Sequence, residues 1–198
     1  MEVDRIMINN IDTIKKYISE IYTTVIPKPE LGVFHLSVIS NKKTKVLKHS
    51  TIIHSDLHDI YSIFGELIDF CTLNNARLYI NLNPKNLHNV NFELAQEVIR
   101  QMDLMGRCDS YKPLGWLYYS ILAKSTPISN SISWFFDWDS KEEFNIKDHV
   151  DGSPDLVHEL FRIETPNGYH IHVEPFNRKM LVNEDMLKIN SLTVAFAP

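Results

Sequence analysis

Apolar residues first recur at three- and four-residue spacing, as Ile11, Ile14, Ile18 and Ile21. They form one stripe of a helix behind an Asn or Asp cap at Asn10, and Pro27 and Pro29 end it. The period then changes to two. GVFHLSVIS alternates as a strand, Asn41–Lys45 is a polar turn, and VLKHSTIIH is the hairpin partner. Ser55 and Asp56 cap a long helix, DLHDIYSIFGELIDFCTLNN, which the Asn74-Asn75 pair closes. ARLYINLNP reads as a buried strand, and NFELAQEVIRQMDLMG as a helix capped by Asn91 and ended by Gly106. LGWLYYSILAK, after Pro113, predicts another helix, and STPISNS a loop. SISWFFDWD is strongly β-prone. Ser153 with Pro154 behind it opens a helix over SPDLVHELF, a PNG turn leads into the strand YHIHVEPF, and SLTVAFA is the last strand.

Strands alternate with helices at first and then cluster in the last third. That order predicts an α/β (α+β) chain with a mixed sheet flanked by helices, in two α/β halves. The chain reads as a single domain over 1–198, with an N-terminal α/β part at 1–125 and motif-bearing strands at 126–198, joined at the STPISNS loop. With 44% hydrophobic and 23% charged residues it has enough apolar material for a sizeable core. No run approaches the about 18 apolar residues of a membrane span, and MEVDRIMINN has no basic segment leading into an apolar one, so a cytoplasmic protein is expected. Cys71 and Cys108 form no CxxC pair, and Cys71 among apolar helix positions reads as a buried thiol. The net charge of −5 tells against a broad basic surface that coats nucleic acid, so any such contact is local. An acidic excess suits a carboxylate site whose metal ion supplies the positive charge.

Chemistry concentrates in two places. In Trp134-Phe135-Phe136-Asp137-Trp138-Asp139, two carboxylates stand two residues apart on a strand and so point to one face. Their repulsion is relieved by a hard cation such as Mg2+ or Mn2+, or both simply face water at a strand end. In Thr165-Pro166-Asn167-Gly168-Tyr169-His170-Ile171-His172-Val173-Glu174, an Asn-Gly turn feeds a strand. His170, His172 and Glu174 then share a polar face, and Tyr169, Ile171 and Val173 share the core face. The turn at Asn167-Gly168 offers backbone N–H groups to a phosphate. Arg178 and Lys179 follow that strand, and Arg77 and Lys85 flank ARLYINLNPK, as cations for a phosphate or a primer strand.

Together FFDWD and PNGYH resemble the archaeo-eukaryotic primase (primase-polymerase) superfamily, whose sites combine a hydrophobic strand ending in Asp-x-Asp with a small-residue turn and His on a neighbouring strand. The resemblance covers roughly residues 76–198 and implies an RRM-like catalytic half. It implies that Asp137 and Asp139 bind Mg2+ or Mn2+ and that His170 contacts the phosphates of a nucleoside triphosphate. By their closeness to His170, His172, Arg178, Lys179, Asn167 and Gly168 are read as further nucleotide contacts. Asn190 falls where the family places a third acid, as a neutral oxygen donor to the metal. Expected partners are a nucleoside triphosphate and a single-stranded nucleic acid template, with no membrane. Other readings stay open: a metal-dependent hydrolase or nuclease on the same acids and histidines, an inactive nucleotide- or nucleic-acid-binding module, or a cupin-like metal strand, which the long helices disfavour. His35-Leu36-Ser37 and His49-Ser50-Thr51 make a formal His-x-Ser/Thr pair of the two-histidine phosphoesterase kind, read as chance.

Overall fold

The computed structural model describes residues 7–41, 45–105, 113–128, 132–152 and 154–198. In chain order these form β1 (Ile8–Asn9), α1 (Ile11–Glu20), β2 (Gly32–Ser40), β3 (Val46–Ile53), α2 (Ile60–Leu73), β4 (Ala76–Asn86), α3 (Leu87–Met105), α4 (Leu114–Lys124), β5 (Trp134–Trp138), β6 (Glu159–Glu164), β7 (Tyr169–Val173), β8 (Leu187–Ile189) and β9 (Leu192–Ala197). The α/β class holds. The single mixed sheet does not: two sheets form, in the orders β1-β9-β4-β2-β3 and β6-β7-β5-β8, and every strand pair in them is antiparallel. The last strand, β9, returns to the first sheet between β1 and β4, so the two sheets do not divide at residue 125.

The 3.6-residue stripe of α1 and the apolar face of α2 explain the main core. Ile14 and Ile18 join Phe64 and Leu67 against Phe34, Leu36, Ile52, Leu78 and Ile80 of the first sheet, all buried. On the second sheet the period of two separates two faces. Phe136, Ile171, Val173 and Leu187 pack under the following loops with Phe144, Val150 and Val157. Phe161 and Ile163 of β6, by contrast, join the core of the first sheet. The thiol of Cys71 is buried, and burial pushes its pKa up to about 12, so it is an inert core group. Cys108 and Gly106 lie outside the described residues.

Four local expectations are corrected. Asn91 lies inside α3, because β4 runs on to Asn86, whose side-chain oxygen accepts from the Asn89 N–H at 3.2 Å and caps the helix earlier. Ser55 and Asp56 do not start α2. Residues His54–Asp59 coil as a 3-10 helix, and the Asp56 carboxylate accepts from the Ile53 N–H at 2.9 Å. Asn10 precedes α1 without capping it, since its side chain bridges Glu164 of β6 and Val194 of β9 instead. The SPDLVHELF helix shrinks to one 3-10 turn at Pro154–Leu156, because the residues from Glu159 onward supply ladder bonds to the outer edge of β7.

Candidate functional site

Antiparallel pairing of β5 with β7 sets Asp137 directly opposite His170, and Phe135 opposite His172. Cross-strand neighbours share a face, so the carboxylate and the imidazole meet, with Asp137 Oδ1 and His170 Nε2 3.3 Å apart. Asp137, Asp139, Asn167 and His170 line one cavity of about 310 Å³, together with Arg77 and Lys188. Arg77 is held by the Asn41 side chain at 3.0 Å, and Lys188 donates to the Asp185 carbonyl at 2.7 Å. Tyr79 also lines the cavity, and its hydroxyl is buried with no hydrogen-bond partner among the described residues. A larger hollow of about 610 Å³ lies beside Phe144 and Arg162, but its cations Lys147 and Arg162 already pair with Asp155 and Glu159.

Of the polar row expected on the solvent side of β7, Glu174 lies exposed just past the strand, but the two histidines are interior. His170 and His172 are 8% and 2% exposed. Phe135 stacks on His170 at 4.4 Å between ring centres, and Phe161 on His172 at 4.6 Å, which makes a layer of rings between the second sheet and β9. Thr193 of β9 rises into that layer. Its hydroxyl lies 2.6 Å from His170 Nδ1 and 3.4 Å from His172 Nε2, while His172 Nδ1 lies 2.9 Å from the Ser133 hydroxyl. Burial, and then the neighbouring His170, push His172 well below its usual pKa, so it is a neutral ring.

One direction of donation satisfies every contact. Ser133 O–H donates to His172 Nδ1, His172 Nε2–H to Thr193, Thr193 O–H to His170 Nδ1, and His170 Nε2–H to Asp137. The opposite tautomer of His170 would set a ring lone pair against the Asp137 carboxylate. His170 therefore directs Nε2–H at Asp137, on the wall of the cavity. The chain of buried partners acts as a rotor lock.

The Asn-Gly turn is set close to the end of β5. A Cβ on Gly168 would stand 1.9 Å from the Trp138 carbonyl oxygen and 2.6 Å from the Ser140 nitrogen, so only glycine lets the turn approach the strand that carries both acids. The N–H of Gly168 is not held for a phosphate as expected. It donates to the Thr165 hydroxyl at 3.0 Å, which ties the turn.

Other expected contacts lie elsewhere. Arg178 pairs with Glu184 at 3.1 Å, and it and Lys179 sit in the 3-10 turn Arg178–Met180. Phe176 and Met180 on either side pack on the Phe136 side of the second sheet, opposite to Asp137. His172 is walled in behind His170. Asn190, in the left-handed region at φ 54°, turns its amide oxygen to the Lys85 ammonium at 2.5 Å and to Asn81 at 3.1 Å. That oxygen is thus engaged in the polar layer of the first sheet. Sequence reasoning missed Thr193, which in SLTVAFA looks like an ordinary β-branched strand residue. Its only signal is a hydroxyl within an apolar run.

Among the described residues no group of three His, Cys, Asp or Glu side chains is arranged to hold a metal by itself. Two carboxylates on one face do suit Mg2+, which commonly takes one or two protein carboxylates and fills its octahedron with substrate phosphates and water. No helix among the described residues is long and apolar enough to cross a membrane. Comparison with protein-family models, curated proteins and solved structures found no match.

Proposed function

We propose that this chain is a primase-polymerase-like nucleotidyltransferase domain that binds a nucleoside triphosphate together with Mg2+ or Mn2+. One observation carries the reading: two motifs about thirty residues apart in sequence converge, so that Asp137 and His170 oppose each other on paired strands and open with Asp139 into one cavity. Asp137 and Asp139 would hold the metal ion, which neutralises charge between the phosphates when bound. Once the metal ion takes Asp137, the Nε2–H of His170, which donates to that carboxylate in the free protein, would be released to a phosphate oxygen. Arg77 and Lys188 add positive charge on the cavity wall, a role the sequence alone assigned first to Arg178. With only two acids, the protein alone holds the metal weakly and the nucleotide completes the site.

Calorimetry with ATP or dATP in the presence of Mn2+ tests this. Saturable binding is expected, weakened at least about tenfold in Asp137→Asn/Asp139→Asn and in His170→Ala, each checked for an unchanged circular dichroism spectrum. Equal binding by the double variant removes the proposal. A second reading, nucleotide binding without turnover, is favoured by the engagement of Asn190 with Lys85 and Asn81, which leaves the cavity two carboxylates where the family has three. A primed template with labelled nucleotides separates the two. Extension supports transfer, and binding without extension supports the module.

A further inference from the structure

The His-x-Ser/Thr pair set aside as chance in the sequence becomes a compact cluster once the β2-β3 hairpin closes. Antiparallel pairing puts Ser37 opposite His49, two residues along from His35 on the same face of β2. His35 Nε2 and His49 Nδ1 are 3.1 Å apart, and the Ser37 hydroxyl is 3.2 Å from the first and 3.1 Å from the second. Three donor atoms thus form a nearly equilateral triangle. Each ring nitrogen has one in-plane lone pair or proton, and it meets two partners lying about 60° apart in that triangle. Hydrogen bonding can fill two of the three edges, with the Ser37 O–H on one ring nitrogen and the N–H of the other ring on Ser37 Oγ, and it leaves the third edge without a proton of its own.

A metal ion would engage all three atoms at once. Bonds of about 2.0–2.1 Å to nitrogen or oxygen, at tetrahedral to octahedral angles, separate neighbouring ligand atoms by about 2.9–3.4 Å, and all three edges fall in that range. We infer that His35, His49 and Ser37 form a binding site for a transition-metal ion of the Zn2+ class, separate from the Asp137 cavity, with its remaining positions open to water or another ligand. Imidazole donors select Zn2+ over Mg2+, which prefers oxygen. The frame is stiff. His35 and Ser37 are buried, and Tyr119 of α4 stacks on His49 at 4.6 Å and on His35 at 5.8 Å. His49 is half-buried and gives the ion its way in. The Lys85 ammonium, which donates to Asn190, is the one charge that opposes a cation beside His35 among the groups that shift it.

The full chain, freed of metal by a chelator, is titrated with Zn2+ against a chromophoric competitor, and Co2+ is used in parallel for its ligand-field absorption. One equivalent is expected. His49→Gln and His35→Gln should each weaken Zn2+ binding at least about tenfold, while Asp137→Asn/Asp139→Asn leaves it unchanged. Because His35 is buried and its variant risks misfolding, half-buried His49 carries the test, with its thermal melt measured alongside. Absence of stoichiometric Zn2+ uptake by the wild type, wild-type affinity in a folded His49→Gln protein, or loss of Zn2+ in the aspartate variant would each overturn the assignment. The last result would place the ion in the Asp137 cavity. Nucleotide binding is measured separately and does not bear on this site.

Discussion

Replacing Gly168 with alanine is the sharpest test of how the turn serves the site. An added Cβ would lie 1.9 Å from the Trp138 oxygen, against the 3.4 Å at which ordinary contact begins, so backbone must yield by about 1.5 Å. No flexible side chain can absorb this, since the other near atoms, Ser140 N and O at 2.6 and 2.7 Å, are also backbone. Overpacking of this kind costs about 3 kcal/mol, at the upper end of the usual range. In a chain of 198 residues that lowers Tm by about 6–12 °C. The displaced segment joins Trp138 to its partner Tyr169, one step from the Asp137–His170 pair, so nucleotide affinity should fall at least about tenfold as well. Gly65→Ala in α2 is the control: nothing lies within 4 Å of its Cβ, and helix propensity predicts a gain of about 0.5–1 kcal/mol. Differential scanning calorimetry on both proteins, with calorimetric nucleotide titration, reads the result. A Gly168→Ala protein that melts and binds like the wild type would refute the close-approach argument.

Two further outcomes follow from the buried polar groups. Thr193→Val keeps the shape of the side chain but removes the hydroxyl between the two histidines. It should cost about 1–3 kcal/mol in urea denaturation and weaken nucleotide binding through a freed His170 ring, and unchanged binding would show that Thr193 does not position it. Lys85, fully buried, falls from the ordinary 10.5 to about 8, so between those values the unfolded chain binds more protons than the folded one. Stability should therefore rise with pH from 8 to 9.5, by about 2 kcal/mol at most, and Lys85→Met should abolish that rise in denaturant melts across this window.

Much of the frame was legible along the chain because periodicity is local. The stripe of Ile11, Ile14 and Ile18, the alternation in GVFHLSVIS and the aromatic run of β5 each state their own structure. Boundaries failed where a distant partner decided them: β6 is a strand because β7 needs an edge partner, and Asn10 gives up its cap to bind residues 154 and 184 positions away. The two-residue spacing of Asp137 and Asp139 fixed their shared face, and the turn before His170 fixed a strand start. Neither could say that the two strands are neighbours, or in which register.

That register is a tertiary fact. It set Asp137 against His170, brought Arg77 from the other sheet to the same cavity, and buried His172 among rings where the alternation had suggested solvent. Packing elsewhere drew Asn190 away to Lys85, and the β2-β3 pairing joined His35, Ser37 and His49 into a triangle. The sequence determined which side chains share a face, because the backbone period is intrinsic to each strand. Only the packed sheets decided which faces meet, because pairing and burial depend on residues far apart along the chain.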